Sequence, residues 1–354
     1  MKIYNFSAGP TKLPDEVVSK ASEAVQYYKN INSSILEISH RSTEFNNIVE
    51  NIIENFKKLF KMPDNFKVLL LQGGATYQNT FISKNISKNS NYGCLINGYW
   101  GQKTFDDFKL ENQNVISYKF SEDKLSDILN FDFTESKYLH LTSNETINGI
   151  QIRNFNKIAH PKLIIDMSSD IGSYKFNFDN VQYIYAGAQK NLGIPGVTVS
   201  FVNNEFVNEN TNSAYLNLNN LLKSNSLLNT PSTFSIYILK LMLDWMIDLG
   251  GLKYFEKKSI DQSNLLYKVL DNYSNKIFFH NDEQFRSRSN IVFKFKNPEN
   301  SLNFLDYAKQ AGIVGINGHR SIGGIRVSLY NSIDYEMFKY FLETFQKFLE
   351  SEVK

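Results

Sequence analysis

A lysine stands inside one of the most apolar stretches of the chain, "VQYIYAGAQKNLGIPGVTVSF". Two runs of alternating β-branched and aromatic residues, starting at Val181 and Val197, read as buried strands joined by a tight, glycine-rich connection that carries Gln189 and Lys190. Burying an ammonium is costly unless it is paired or deprotonated, so Lys190 either points outward or serves chemistry. Asp166 is a second candidate, at the carboxyl end of the strand read in "PKLIIDMSSD". As parallel neighbours, these strands would deliver both side chains to the sheet edge where α/β proteins bind ligands. A third element, "FKVLLLQ" running into "GGATYQNTF", is a strand, a glycine turn and a helix start, the geometry that cradles phosphate on backbone N–H groups. An amine for a Schiff base, a carboxylate for a pyridinium nitrogen and a phosphate cradle are what pyridoxal phosphate requires. Spacing alone also allows a plain salt bridge or two solvated loop charges.

The arginines add a second kind of chemistry. They occur only as Arg41, Arg153, Arg286, Arg288, Arg320 and Arg326, in a chain that otherwise takes its positive charge from lysine. A retained arginine suggests a planar fork for carboxylate or phosphate. His40-Arg41 and His319-Arg320 are two His-Arg pairs where chance gives on the order of a tenth of one. Arg326 follows in the glycine-rich "GHRSIGGIRVS", where backbone and ligand can approach closely. A dianionic substrate fits this set, although any single arginine is more commonly a helix cap or a surface pair.

The elements that must position these residues can be read around them. "STEFNNIVENIIENFKKLF" puts Phe45, Ile48, Val49, Ile52, Ile53, Phe56, Leu59 and Phe60 on one helical stripe, with Ser42 as its cap. "NYGCLINGYWG" reads as a strand and loop, and "SKYLHLTSNET" as another strand. Strands alternating with helical stretches imply an α/β fold with a mainly parallel sheet. In "NTPSTFSIYILKLMLDWMIDLGG", Ser232 or Thr233 starts a helix that Gly250 and Gly251 end. From about residue 256 the pattern becomes helix, strand, helix, strand and a last helix marked by Phe338, Phe341, Phe345 and Phe348, a smaller α+β domain. The expected division is 1–255 and 256–354, with the segment up to about residue 15 packing on the small domain.

With 354 residues, 42% hydrophobic and 21% charged, the chain can bury a sizeable core. Its net charge of +2 gives no electrostatic case for nucleic acid or an anionic membrane, so small molecules are the expected partners. One cysteine, Cys94, cannot form an internal disulfide, no Cys and His cluster has metal-ligand spacing, and no signal or membrane-spanning block is evident; the cytoplasm is the expected compartment. Neither G-x-G-x-x-G nor G-x-x-x-x-G-K-[ST] occurs, which excludes those nucleotide motifs.

Over nearly its whole length the sequence resembles the phosphoserine aminotransferase family, class V members of the fold type I pyridoxal phosphate enzymes. The resemblance is carried, in family order, by "NFSAGPTKLP", "SHRSTEF", "LLLQGGATYQ", "NETINGIQ", "YAGAQKNLGIPGVTV", "NTPSTFSIY" and "GHRSIGGIRVSLYN". It implies a large pyridoxal phosphate-binding domain and a smaller carboxyl-terminal one. By the same resemblance Lys190 is the Schiff-base lysine and proton shuttle, and Asp166 the partner of the ring nitrogen. Trp100 stacks on the ring, Thr146 and Gln189 contact the coenzyme, and its phosphate rests on the backbone of Ala75 and Thr76. Asn229 and Thr230 reach it from a second subunit, which implies a homodimer with shared sites. Arg326 clamps the substrate α-carboxylate, while His40, Arg41, His319 and Arg320 surround the distal anion of glutamate or phosphoserine.

The activity implied is reversible transfer of the amino group of L-glutamate to 3-phosphohydroxypyruvate in serine biosynthesis, with 4-phosphohydroxy-L-threonine of vitamin B6 synthesis as a further substrate to consider. An alanine or serine to glyoxylate aminotransferase would not need two His-Arg pairs. A cysteine desulfurase needs a cysteine on a mobile loop, and Cys94 lies in an apparent strand. A non-catalytic binder of the coenzyme or of a phosphometabolite could dispense with Lys190. Three places depart from the family pattern: Thr76 with Tyr77-Gln78-Asn79 in the glycine turn, Ala8 near the substrate, and "NLGIPG" after the lysine.

Overall fold

A computed structural model describes residues 2–353 apart from 88, 112–113 and 207–212. Its centre is a seven-stranded sheet in the order Phe66–Leu71, Thr198–Asn203, Val181–Gly187, Leu163–Asp166, Tyr138–Thr142, Tyr92–Ile96, Val115–Lys119. Thr198–Asn203 runs antiparallel to both neighbours and every other pairing is parallel. Burial on both faces explains the continuous apolar runs. In Phe66–Leu71 the two-residue period turns Phe66, Val68 and Leu70 to one face of the sheet, into the first hydrophobic cluster, and Leu69 and Leu71 to the other face.

Helix Thr43–Phe60 forms where its stripe predicts, and the Ser42 hydroxyl accepts from the Phe45 N–H at 3.1 Å. Of the stripe residues only Ile53 stays half-buried. Two local expectations differ. The loop expected after Ile96 is the start of helix Tyr99–Glu111, whose first turn carries Trp100. The connection between the strands flanking Lys190 spans residues 188–197 instead of making a tight turn.

A second hydrophobic cluster is built from the three-stranded antiparallel sheet of Ile277–Phe279, Asn290–Phe295 and Ile325–Ser328 with helices Pro298–Gln310 and Tyr335–Glu352. Phe338, Phe341, Phe345 and Phe348 are buried in it. Phe6 joins it too, and Tyr4–Asn5 pairs in parallel with Ile313–Val314. Residues 255 and 256 lie inside the continuous helix Gly251–Asn272, which gives Leu252 and Phe255 to the first cluster and Leu266 and Leu270 to the second.

The same helix buries Lys258, whose Nζ donates to the carbonyls of Asn331 at 2.5 Å, Ile333 at 2.8 Å and Tyr330 at 3.4 Å. Those carbonyls belong to a segment that reaches the lysine loop, because the Asn331 N–H donates to Asn191 Oδ1 at 2.9 Å. Lys258→Met keeps the stem and strips the donors from three buried acceptors. Unfolding free energy, measured by denaturant titration, is expected to fall by about 2–4 kcal/mol.

Candidate active site

Parallel strands bring their carboxyl ends to one edge, and from that edge the chain leads into most of the segments expected to bind the coenzyme. The strand ending at Leu71 leads to Gly73 and Gly74, that ending at Ile96 to Trp100, and that ending at Thr142 to Asn144 and Thr146. The strand Leu163–Asp166 ends on the carboxylate itself, and Val181–Gly187 leads to Gln189 and Lys190. Together they line a cavity of about 460 Å³, to which His319 and Arg326 also contribute. Ala75, Thr76, Trp100, Thr146, Asp166, Gln189 and Lys190 all line it.

Gly9 lies against the stem of Lys190, where an added Cβ would sit 3.4 Å from the lysine Cγ. Burial pushes the amine below its ordinary range; Asp166 opposes that shift and the Arg326 charge adds to it. No hydrogen bond or ion pair holds Lys190 Nζ among the described residues. Asp166 is buried, which raises its carboxyl pKa, while the Ser168 N–H at 2.8 Å and the Lys190 charge favour the ionised form.

At the glycine turn, Gly73 has φ of 88° and caps helix Gly74–Asn85 without any side-chain hydrogen bond. Its first-turn amides therefore face the cavity with no capping side chain, a ready anion cradle. Gln78 and Asn79, two of the departures from the family pattern, are buried behind the turn. Gln78 accepts from the Tyr183 hydroxyl at 2.8 Å and Asn79 from the Tyr185 hydroxyl at 3.2 Å, which fastens the helix to the sheet. Thr76 is exposed at the rim.

The Trp100 indole N–H donates to Thr146 Oγ1 at 2.8 Å. Arg326, from the small sheet, reaches the Thr146 carbonyl at 3.5 Å, and its buried Nε has no partner among the described residues. Thr142 Oγ1 is another buried polar atom on the cavity wall without a partner. Unclaimed amides, a lysine amine beside a carboxylate and unpaired donors on the walls fit the phosphate, aldehyde and ring nitrogen of pyridoxal phosphate.

Five expected residues do not line the cavity of their own chain. Arg41, Arg320, Asn229 and Thr230 are exposed, and His40 is half-buried with an unpartnered Nε2. Thr230 lies beside the glycine turn, its carbonyl accepting from Gln72 Nε2 at 3.4 Å. Other polar residues escaped sequence reasoning: Asn144 on the wall, and Glu145, Asn290 and Tyr330 outside its lining. Glu145 accepts from the N–H groups of Trp100 at 2.9 Å and Gly101 at 2.7 Å. Asn144 donates to Asn290 Oδ1 at 2.8 Å, Asn290 to the Tyr330 hydroxyl at 3.1 Å, and that hydroxyl to the Ala8 carbonyl at 2.9 Å. The available signal was the polar run "SNET" directly after an apolar strand, at the edge where Asp166 also ends.

The neighbours of Lys190 set the sign of a pH test. The negative charge of Asp166 favours the ammonium, so Asp166→Asn is expected to move the pH midpoint of Lys190 labelling by a small amine reagent downward in coenzyme-free protein. Arg326→Gln, which removes a disfavouring positive charge, is expected to move it upward. Peptide mapping across the alkaline range reads both shifts.

Residues 3–341 match the family model for class V aminotransferases. The phosphoserine aminotransferase of Alkalihalobacillus alcalophilus is 37% identical over 339 residues, 94% of each chain. A solved phosphoserine aminotransferase, described for radiation damage of its Schiff base, superposes with a TM-score of 0.92 at 36% identity over 99% of both chains. The pyridoxal phosphate-bound phosphoserine aminotransferase of Trichomonas vaginalis gives 0.88 at 27% identity, over 98% of this chain and all of its own. The chain belongs to the class V aminotransferases, pyridoxal phosphate-dependent enzymes, and within them to the phosphoserine aminotransferase family.

Proposed function

We propose that this protein transfers the amino group of L-glutamate reversibly to 3-phosphohydroxypyruvate, giving O-phospho-L-serine and 2-oxoglutarate. The observation that carries the reading is the meeting of Lys190, Asp166 and Arg326 in the lining of one cavity. Pyridoxal phosphate, when bound, supplies an aldehyde that links covalently to amines and a ring that withdraws electrons from the substrate α-carbon.

The protein's own groups do the rest. Lys190 Nζ, its ammonium disfavoured by burial, takes up the proton at the substrate α-carbon and gives one back in the reverse direction. With the coenzyme bound, Asp166 would hold a proton at the ring nitrogen, Trp100 would cover a ring face and exclude water, and the amides of Ala75 and Thr76 would bind the phosphate. Arg326 receives the α-carboxylate as a charge-assisted fork. His319 lies on the cavity wall to meet the distal anion. His40, Arg41 and Arg320 serve the same anion, and Asn229 and Thr230 the coenzyme phosphate. Their position outside their own chain's cavity supports a homodimer in which a second copy completes each site. Cys94, buried in a strand with its thiol pKa pushed up by burial, suits no desulfurase role. Among the described residues no helix is long and apolar enough to cross a membrane, in keeping with the cytoplasmic setting we propose.

Two outcomes test the reading. Borohydride treatment of the coenzyme-loaded protein is expected to fix mass on Lys190 and nothing in Lys190→Ala; fixation on another lysine contradicts it. Arg41→Ala and Arg320→Ala are expected to lower kcat/KM for phosphoserine by about a hundredfold while sparing alanine, since each removes a charge-assisted bond. Equal losses on both substrates would count against a phosphate pocket, and a parallel assay decides whether 4-phosphohydroxy-L-threonine is also used.

A further inference from the structure

Helix Tyr99–Glu111 begins at the cavity wall, and its first-turn amides are satisfied by a side chain from a different strand. Glu145, on the short strand Asn144–Glu145, presents Oε2 to the Trp100 N–H and Oε1 to the Gly101 N–H. The next residue, Thr146, accepts the indole N–H of the same tryptophan. Trp100 is thus gripped at its backbone and at its ring by two consecutive residues. The grip is close: a Cβ added at Gly98 would lie 2.5 Å from Glu145 Cδ, and one at Gly101 would lie 2.9 Å from the Leu95 carbonyl. Glu145 is fully buried, and burial pushes its carboxyl up to about 7, opposed by the two N–H groups and by the Lys190 charge. A buried acid is retained at a helix start when its charge is wanted by the positive end of the helix.

We propose that Glu145 is a positioning residue, whose carboxylate fixes the first turn of the helix and thereby sets the plane of the Trp100 indole over the coenzyme-ring site. It acts through Trp100 and touches neither substrate nor reacting atoms. The hairpin that carries it, Asn144–Glu145 with Ile150–Gln151, also offers the Thr146 carbonyl to Arg326, so one rigid post aligns the ring clamp with the carboxylate clamp.

The proposal rests on reading the cavity as the coenzyme site, and the first readout is chosen to be independent of that reading. In a Trp245→Phe background Trp100 is the sole indole. Acrylamide quenching of its fluorescence, in coenzyme-free protein, is expected to rise about twofold or more in Glu145→Gln, because amide replaces carboxylate at two donors. In loaded protein the same variant is expected to bind pyridoxal phosphate about tenfold more weakly, with kcat falling more than KM changes. Glu145→Gln combined with Trp100→Phe is expected to be no worse than Trp100→Phe alone, since a group acting through Trp100 has nothing left to position. Additive losses would instead mean a direct electrostatic action on Lys190 or Asp166, and would overturn the proposal. So would a lowered thermal midpoint with unchanged quenching, the signature of a helix cap and nothing more. Glu145→Asp, which keeps the charge on a shorter stem, carries the same measurements should the glutamine variant not fold, with intermediate values expected.

Discussion

A half-buried amine sharing one cavity with a buried carboxylate is the constraint on which the rest of the structure depends. Neither Lys190 nor Asp166 is comfortable alone: burial disfavours the charged form of each, and each charge stabilises the other. Such a pair is held in register only by a frame that cannot relax around it. The parallel sheet supplies that frame, because Leu163–Asp166 and Val181–Gly187 are hydrogen-bonded neighbours whose ends leave the sheet at the same edge.

The second consequence is that the cavity lies between two hydrophobic clusters and is closed by both. Arg326 comes from the small sheet, Lys190 from the connection that follows a strand of the large one, and a chain of amide and hydroxyl groups from Asn144 through Asn290 and Tyr330 to Ala8 spans them. Every member of that chain has a partner, so it specifies one arrangement of the two parts instead of adding loose polar groups to a core. Asn191 next to Lys190 and Lys258 in the long helix tie the same segment, residues 330–333, to opposite sides.

Much of this was legible from residue order. Continuous β-branched and aromatic runs announced strands buried on both faces, and a lysine and an aspartate at their ends announced a site. The glycine turn before an uncapped helix was readable as an anion cradle because its geometry is local. What could not be read depended on distant partners. Trp100 was expected in a loop, since "NGYWG" places a glycine on each side of Tyr99-Trp100 and the helix owes its start to Glu145, which is far along the chain. Gln78 and Asn79 stood out only as departures from the family pattern, and they accept from the Tyr183 and Tyr185 hydroxyls of the sheet. The two His-Arg pairs were visible in the sequence, yet His40, Arg41 and Arg320 do not line the cavity, which spacing along the chain does not encode.

The most direct measurement is a crystal structure of the protein with pyridoxal phosphate bound. The account predicts a covalent bond from Lys190 Nζ to the coenzyme's aldehyde carbon, an Asp166 oxygen at hydrogen-bond distance from the ring nitrogen, and the phosphate on the first turn of helix Gly74–Asn85. A coenzyme seated with its ring nitrogen away from Asp166, or joined to a different lysine, would contradict it.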